Sequence, residues 1–371
     1  MFKLNGTELE RARPLFTPLA THYLAVESIL AGLSPAAVYV DDTVEPRTAV
    51  TRINYRLFLG GQPAATPDLV TLLAETIPAQ SRAEGRESFI VHAPPEHEPL
   101  FSALFGGKPP IRRQRQYFEL DARQFTGTAV LPDGYRLEPV DANLLAQTHL
   151  QNMDWLREEM VSERPSLDDF LAQSFGVCAI HEGKIVGWCL SEYNCGPRCE
   201  IGIATYEAHQ RKGLAAATAT TVIHHALSQG IHQIGWHCWA DNTPSSALAR
   251  KLGFQLVAEA PAFPYFFDDM IHFGVQGNLC FMAGDYQQAV DWYEQAAAAG
   301  EAPVWIHWNA ACANGRLGRE TAVIHHLQQA ITAGFDDWER LQTSPHFDPI
   351  RRTTAWQTFL NGAQIYTDEH G

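Results

Sequence analysis

The sequence has no long hydrophobic run and relatively few basic residues. No uninterrupted apolar segment approaches the roughly 18–20 residues of a membrane-spanning helix, so the sequence predicts no membrane association. Lysine and arginine number 27 against 42 aspartate and glutamate residues, a formal net charge of −15. This balance argues against binding of nucleic acid phosphates. It favours a cationic ligand, although an acidic surface also serves solubility alone.

The chain has 7 cysteines, so they cannot all be joined in pairs within one chain. An odd number that falls mostly in apolar segments predicts reduced thiols in a reducing compartment. The first residues lack the basic-then-apolar pattern of a signal peptide, so we expect a cytoplasmic protein. Cys195 and Cys199 are spaced like half of a metal site, but two further ligands do not follow at a usual spacing. The sequence therefore predicts no bound metal.

Three regions differ in their pattern of strand-like and helical segments, and we expect domains at 1–125, 133–262 and 270–371. The first two mix strand-like and helical segments, with helices predicted over 7–33 and 142–159 and a tight hairpin turn at 181–184. This mixture argues for an α/β or α+β sheet domain. In the third the strand patterns vanish and a 34-residue period appears, for example between Gly284 and Gly318 or Ala296 and Ala330. That period is typical of tetratricopeptide (TPR) repeats, so this all-α region is a predicted docking site for a protein partner. A generic helical hairpin is the alternative.

One segment of the middle region carries a recognisable chemical pattern. A strand ends at Thr205, a loop follows, and a helix begins near Gly213. Such a junction presents free backbone N–H groups at a helix N-terminus, which bind phosphate through hydrogen bonds and the helix dipole. Gly213 permits close backbone approach, and Arg211 and Lys212 add positive charge.

The loop Gln210–Ala215 resembles the pyrophosphate loop of the GNAT family of N-acetyltransferases. Asn242, followed by a helix that closes with Leu252-Gly253-Phe254, is similar to the second signature of that family, and the two segments have the family's order and separation. The resemblance covers about a third of the chain and implies the α+β fold of the family, a mixed sheet flanked by helices. It implies acetyl-CoA as acetyl donor and direct transfer of the acetyl group to a primary amine of a small molecule or peptide.

The resemblance also implies roles for individual residues. The backbone of the strand end would bind the pantetheine arm as an added strand, the loop would hold the pyrophosphate, and an Asn would lie near the cofactor arm. The residues concerned are Ile203, Ala204 and Thr205 in the strand, Gln210, Arg211, Lys212, Gly213, Leu214, Ala215 and Ala216 in the loop, and Asn242.

The catalytic groups are less clear because the chain departs from the family pattern. Many members have a tyrosine acid seven residues after the Asn, where this chain has Ala249. Ribosomal-protein alanine acetyltransferases have a Glu five residues before the Asn, where this chain has His237. We therefore expect His237 as the general base, with Glu200 as the rival. The alternatives are a packed or hydrogen-bonded strand histidine for His237 and a sheet-edge carboxylate for Glu200.

The first 125 residues show a similar order of elements without a phosphate loop, so they resemble a degenerate GNAT-like half. The sequence thus favours an active acetyl-CoA-dependent N-acetyltransferase. The alternative is a weakly active or inactive CoA-binding scaffold that recruits a partner through the TPR-like region, and the Ala249 position favours that alternative.

Overall fold

The computed structural model describes residues 1–162 and 164–368, without the side chains of 363–368. The chain divides into two compact units, Met1–Pro264 and Tyr265–Gly371. No helix in the described ranges is long and apolar enough to cross a membrane.

Twelve strands form one mixed sheet. They are β1 (Phe2–Leu4), β2 (Ala37–Val40), β3 (Thr48–Ile53), β4 (Arg56–Gly61), β5 (Ser88–His92), β6 (Arg113–Asp121), β7 (Tyr135–Pro139), β8 (Gly176–His181), β9 (Lys184–Cys195), β10 (Arg198–Thr205), β11 (Gln233–Trp239) and β12 (Gln255–Phe266).

Helices flank the sheet in the first unit and build the second unit. Those of the first unit are α1 (Arg13–Ala20), α2 (Leu24–Leu30), α3 (Pro67–Thr71), α4 (Ile77–Ala83), α5 (Phe101–Leu104), α6 (Ala142–Leu145), α7 (Met153–Met160), α8 (Leu167–Gln173), α9 (Leu214–Ser228) and α10 (Thr243–Lys251). Those of the second are α11 (Asp269–Met282), α12 (Tyr286–Ala298), α13 (Val304–Arg316), α14 (Glu320–Thr332), α15 (Trp338–Thr343) and α16 (Thr354–Asp368).

The sheet has two similar halves that exchange a strand. Its order is β1-β2-β3-β4-β5-β12-β6-β11-β10-β9-β8-β7. In each half three antiparallel pairings are followed by one parallel pairing, β4 with β5 and β10 with β11. β6 comes from before residue 125 but lies between β11 and β12. The predicted mixed sheet flanked by helices is confirmed, whereas the boundary near residue 125 stays a prediction.

Two predicted helices are broken in the structure. The helix expected over residues 7–33 is a 3₁₀ turn followed by α1 and α2, because Tyr23 takes an extended backbone between them. The helix expected over 142–159 is divided into α6 and α7, and Asn152 has a left-handed backbone at the break. The first break has consequences for the site, because it brings the turn before α2 over the sheet.

The two faces of the sheet around β11 are packed differently. On one face α9 and α10 cover an apolar core that includes Trp236, Phe118 and Phe254. On the other, α1 and α2 pack into a second core that reaches Tyr117 of β6 and Tyr193 of β9. Since side chains alternate along a strand, His237 lies on this second face, opposite Tyr117 in the register.

The second unit consists of helices that pack as successive neighbours. α11 contacts α12, α12 contacts α13, and α13 contacts α14. α12 and α14 start at Tyr286 and Glu320, which are 34 residues apart. The helical region is thereby confirmed, and its membership of the TPR class stays a prediction.

Candidate active site

The parallel pair β10–β11 separates partway along its length. The two strands are paired at Arg198–Gln233, Cys199–Ile234 and Glu200–Gly235, after which β10 continues to Thr205 beside β9 alone. Within the described residues, the edge of β10 over 201–205 therefore has no strand partner on the β11 side. An unpaired edge of this kind accepts an extended ligand as an added strand. Ile203, Ala204 and Thr205 lie on it, where the resemblance places them.

Two buried polar atoms near this edge lack a hydrogen-bond partner in the described part of the chain. They are Thr205 Oγ1 and Trp188 Nε1. Trp188 lies opposite Ala204 in the pairing of β9 with β10. Because buried polar groups are normally satisfied, these two atoms suit a polar ligand that runs along the split.

The loop after β10 ends in an uncapped helix N-terminus. Gly213 has φ of 86° and precedes α9, whose first helical hydrogen bond joins Ala217 N–H to the Gly213 carbonyl. The N–H groups of Leu214, Ala215 and Ala216 therefore precede the hydrogen-bond ladder. A Cβ built on Gly213 meets no described atom within 4 Å. The loop from Gln210 to Gly213 is exposed, so the N–H groups are accessible to a phosphate.

A group of aromatic and imidazole side chains lies beside the loop. Lys212 Nζ donates to Tyr135 Oη at 3.2 Å, and Tyr135 Oη also lies 2.9 Å from His209 Nδ1. His181 stacks on the Tyr135 ring at 4.3 Å. Burial, followed by the charge of Lys212, lowers the pKa of His209. Tyr135, His181 and His209 are not predicted from the sequence as site residues, because they come from separate strands and turns.

Asn242 lies at the start of α10 and acts as its N-cap. Its side-chain oxygen accepts from Ser245 N–H at 3.2 Å. Ser245 Oγ in turn accepts from Trp236 Nε1 at 3.0 Å. The capping role explains this asparagine by itself, and its contact with a cofactor arm stays a prediction.

Glu200 and His237, the two rival candidates for the base, lie together where β10 and β11 separate. His237 Nε2 is 3.7 Å from Glu200 Oε1, and both side chains are buried. Glu200 Oε1 also accepts from the backbone N–H of Leu24 at 2.6 Å. Burial, then the charges of Arg115 and Arg56, hold the pKa of His237 well below its usual range, against a backbone hydrogen bond with His22. The imidazole is therefore neutral at pH 7 and able to accept a proton.

The side chains around this pair come largely from the first 125 residues. The rings of Tyr23 and Tyr117 lie 5.7 Å and 4.8 Å from the His237 ring, and their hydroxyls are hydrogen-bonded to each other. Burial raises the pKa of Tyr23, so its hydroxyl stays protonated. Arg56 donates to Tyr193 Oη at 2.7 Å and lies 3.6 Å from Glu192. We call this set the central polar cluster; its members are Tyr23, Arg56, His92, Arg115, Tyr117, Glu192, Tyr193, Glu200 and His237.

A cavity of about 390 Å³ reaches the Glu200–His237 pair. It is lined by the turn between α1 and α2, by β6 and β12, and by the beginnings of β10 and β11. His22 and Tyr117 form part of its wall. Its volume is of the size that holds a small molecule, and it gives a ligand access to the pair from the face opposite α9.

Ala249 lies in the apolar core on the α9 face and is fully buried. It packs among residues such as Trp236 and Phe254, away from His237. In this chain the position seven residues after Asn242 is therefore a core position, and any acid must come from elsewhere.

The signals for the missed residues were weak. Arg115 and Tyr117 are alternate residues of a strand, and His92 ends an apolar one. Arg56 starts a strand that is otherwise apolar. Polar residues on alternate positions of a strand usually indicate an exposed face, and only the pairing of β6 with β11 shows that this face is the site.

Comparison with known proteins assigns the chain to a family. The family model described as GNAT acetyltransferase matches residues 14–263, more than half of the chain. The uncharacterized N-acetyltransferase YdfB of Bacillus subtilis (strain 168) is 26% identical over 234 residues, which cover 63% of this chain and 87% of that protein.

A similar fold occurs in a solved structure. The GCN5-related N-acetyltransferase-like protein from Streptococcus suis 89/1591 aligns with a TM-score of 0.52 and 23% identity, over 70% of this chain and 99% of that one. The split strand pair, the uncapped loop and the family match agree, and the chain belongs to the GNAT acetyltransferase family.

Proposed function

We propose that this protein is an acetyl-CoA-dependent N-acetyltransferase that acts on a primary amine by direct attack. The observation that carries the proposal is the separation of β10 from β11 directly after Glu200, with the uncapped N-terminus of α9 at one end of the split and the Glu200–His237 pair at the other. The site thus combines a place for a phosphate-bearing extended ligand with a place for proton transfer.

The residues present fit the acetyl donor. Ile203, Ala204 and Thr205 would hold the pantetheine arm along the unpaired edge of β10, and the loop from Gln210 to Ala216 would hold the pyrophosphate with its backbone N–H groups. Asn242 would lie near the arm. When bound, acetyl-CoA supplies the activated acetyl group as a thioester.

His237 would accept the proton that the amine must lose. Its buried, neutral imidazole suits a base at neutral pH. Glu200 would act through His237, because its carboxylate is 3.7 Å away and stabilises the protonated ring. The hydrogen bond from Leu24 N–H holds that carboxylate in place. The two rival candidates thereby take complementary roles.

The central polar cluster offers an acid in place of the tyrosine that Ala249 replaces. The linked hydroxyls of Tyr23 and Tyr117 lie beside His237. A hydroxyl that stays protonated is able to donate to a leaving thiolate. We assign this role to the Tyr23–Tyr117 pair rather than to one of the two residues.

The alternative function is a weakly active CoA-binding scaffold that recruits a partner through the TPR-like helices. The burial of Ala249 in the apolar core favours it, because the usual acid is absent from that position. The buried Glu200–His237 pair and the cavity beside it favour the enzyme, since a scaffold needs neither.

An amine-panel assay with mass spectrometric detection of acetylated products tests the two functions. The panel contains diamines, amino acids and peptides with a free N-terminus, and calorimetry measures CoA binding in parallel. Product formation from at least one amine supports the enzyme. CoA binding without any transfer would leave the scaffold as the function.

A further inference from the structure

Arg115 carries a guanidinium group that forms no hydrogen bond or ion pair within the described part of the chain. Its Nε is enclosed without a hydrogen bond, and no described carboxylate forms an ion pair with the group. It lies over the Trp239 ring, 4.8 Å from the centroid. Its strand neighbour Arg113 shows the usual arrangement, with Asp241 at 2.6 Å.

The surroundings of Arg115 do not compensate its charge. Burial, followed by the charge of Arg56, lowers the pKa of Arg115. Arg56 lies against Glu192 and Tyr193, so that carboxylate is already engaged. An enclosed cation without a counter-charge is costly, and an anionic group of a bound ligand would supply that counter-charge.

Nearby, His92 has the same lack of partners. Its side chain is 1% exposed, and neither ring nitrogen has a hydrogen-bond partner among the described residues. Its ring lies 4.4 Å from that of Tyr23, which contacts His237 in turn. Unused N–H donors at two members of the central polar cluster indicate that this part of the site is built for an acceptor of hydrogen bonds.

The sheet register places Arg115 near the Glu200–His237 pair. Arg115 is opposite Trp239, and Tyr117 is opposite His237. Arg115 therefore projects from the same face as Tyr117, about 7 Å further along β6 towards the open end of the split. A molecule whose amine is next to His237 reaches Arg115 with a group only a few bonds away.

We propose that the acceptor is a small amino acid whose primary amine lies beside the Glu200–His237 pair and whose carboxylate binds the guanidinium of Arg115. The proposal rests on the acetyltransferase function proposed above and narrows its substrate class. A planar guanidinium binds a carboxylate through two parallel hydrogen bonds, which also orients the amine. The acidic net charge of the whole chain favours a cationic ligand, whereas the local charge at Arg115 favours one that also carries an anion.

Matched acceptors test the proposal with the unaltered full-length protein. Each α-, β- and γ-amino acid is compared with the amine that lacks its carboxylate, and acetylated product is measured by mass spectrometry at saturating acetyl-CoA. We expect kcat/KM to be at least about 10-fold higher for the preferred amino acid than for its matched amine. Equal or faster turnover of the matched amine would overturn the carboxylate proposal and leave the acetyltransferase function intact. CoA binding without transfer to any acceptor, or no CoA binding at all, would overturn both.

Substitution of Arg115 separates carboxylate binding from proton transfer. Arg115→Gln is expected to lower kcat/KM for the amino acid on the order of 100-fold, mainly through KM, and to change turnover of the matched amine far less. Arg115→Lys restores part of the loss because it keeps the charge. Arg123→Gln is the control, since Arg123 lies in the same unit and is paired with Asp121 at 2.7 Å. Equal losses for both acceptors at unchanged CoA affinity and melting temperature would contradict a carboxylate contact.

Discussion

The two halves of the sheet share their strand order but differ at the one position where a phosphate would bind. In each half, a parallel pair is joined at three positions: β10 and β11 both continue beyond Glu200–Gly235 and separate, whereas β5 ends at the last pair, Phe58–His92, while β4 continues to Gly61. In the second half the helix that follows begins at Gly213 without a side-chain cap. In the first half it begins at Pro67, and Thr66 caps it by accepting from Leu69 N–H.

Charge and packing reinforce that difference. The first turn of α3 contains Asp68, which pairs with the N-terminal amino group at 3.2 Å. A phosphate at that place would meet a carboxylate. A Cβ on Gly60, at the end of β4, would lie 2.7 Å from the Leu15 carbonyl, so α1 already covers this strand. The same topology therefore supports a phosphate site in one half and excludes it in the other.

The half without a phosphate loop nevertheless contributes to the site of its neighbour. Leu24 N–H binds Glu200, and the ring of Tyr23 contacts that of His237. Arg115 and Tyr117 come from β6, which lies beside β11. Under the proposed function the two similar halves have divided tasks, since the second half would hold the cofactor and the first would supply walls of the acceptor site.

The strongest test of this division is to introduce a negative charge into the loop after β10 and, for comparison, into the loop after β4. Gly213→Asp is expected to weaken CoA binding by more than about 100-fold, because a carboxylate would lie where the pyrophosphate is held. Gln62→Asp, in the exposed loop after β4, should leave the affinity unchanged. Calorimetry with CoA measures both, and Gly213→Ala controls for strain at the positive φ. Equal affinities for the Asp variants in folded protein would mean that the phosphate site is not at α9.

The exposed loop before α9 and the tight turn between β8 and β9 were predictable from the sequence because both are local, and phosphate binding at that loop stays a prediction. Glu182 and Gly183 have φ of 48° and 74°, as the predicted tight turn between β8 and β9 requires. The position of Glu200 against Leu24 joins residues 176 apart, and no local pattern encodes such a contact. The broken helix over 7–33 was missed for the same reason. An extended Tyr23 is stabilised by tertiary packing on the sheet, which overrides helical propensity.

The next test concerns the base that the second half provides. His237→Asn is expected to lower kcat by roughly 100- to 10,000-fold while CoA affinity stays within about two-fold, because only proton transfer is lost. His149→Asn, an exposed position in the same unit, is the matched control. A variant with unchanged kcat at every pH would show that His237 has only a packing role and would return the assignment to Glu200 or water.

A smaller effect is expected from the charges that the first half places near His237, the proposed base. The charges of Arg115 and Arg56 help to hold the pKa of His237 down. Arg115→Gln removes one of them, so the pKa of His237 should rise towards its usual value. The base would then be protonated at higher pH, and the ratio of activity at pH 6 to activity at pH 8 should fall. The measurement uses an acceptor amine without a carboxylate, so that binding at Arg115 does not enter. An unchanged ratio would show that Arg115 does not act on His237.

The smallest expected effect is on stability, and it compares a buried histidine of each half. Burial, followed by nearby positive charge, lowers the pKa of both His92 and His237 well below 6.5. Below pH 6.5 these two histidines bind protons in the unfolded chain but not in the folded chain. Their contribution to the free energy of unfolding is therefore fully present above that pH and is lost as the pH falls. Each residue contributes a loss of about 1.4 kcal/mol between pH 7.5 and 5.5.

His92→Phe removes one of these two contributions and keeps the ring that stacks on Phe58 at 5.2 Å. The decrease in melting temperature between pH 7.5 and 5.5 should therefore be smaller in the variant by roughly 3–6 °C. His149→Gln, at an exposed position, should show the wild-type decrease. If His92→Phe melts with the full wild-type decrease, His92 is protonated in the folded state. The first half would then supply a buried cation to the central polar cluster rather than a neutral ring.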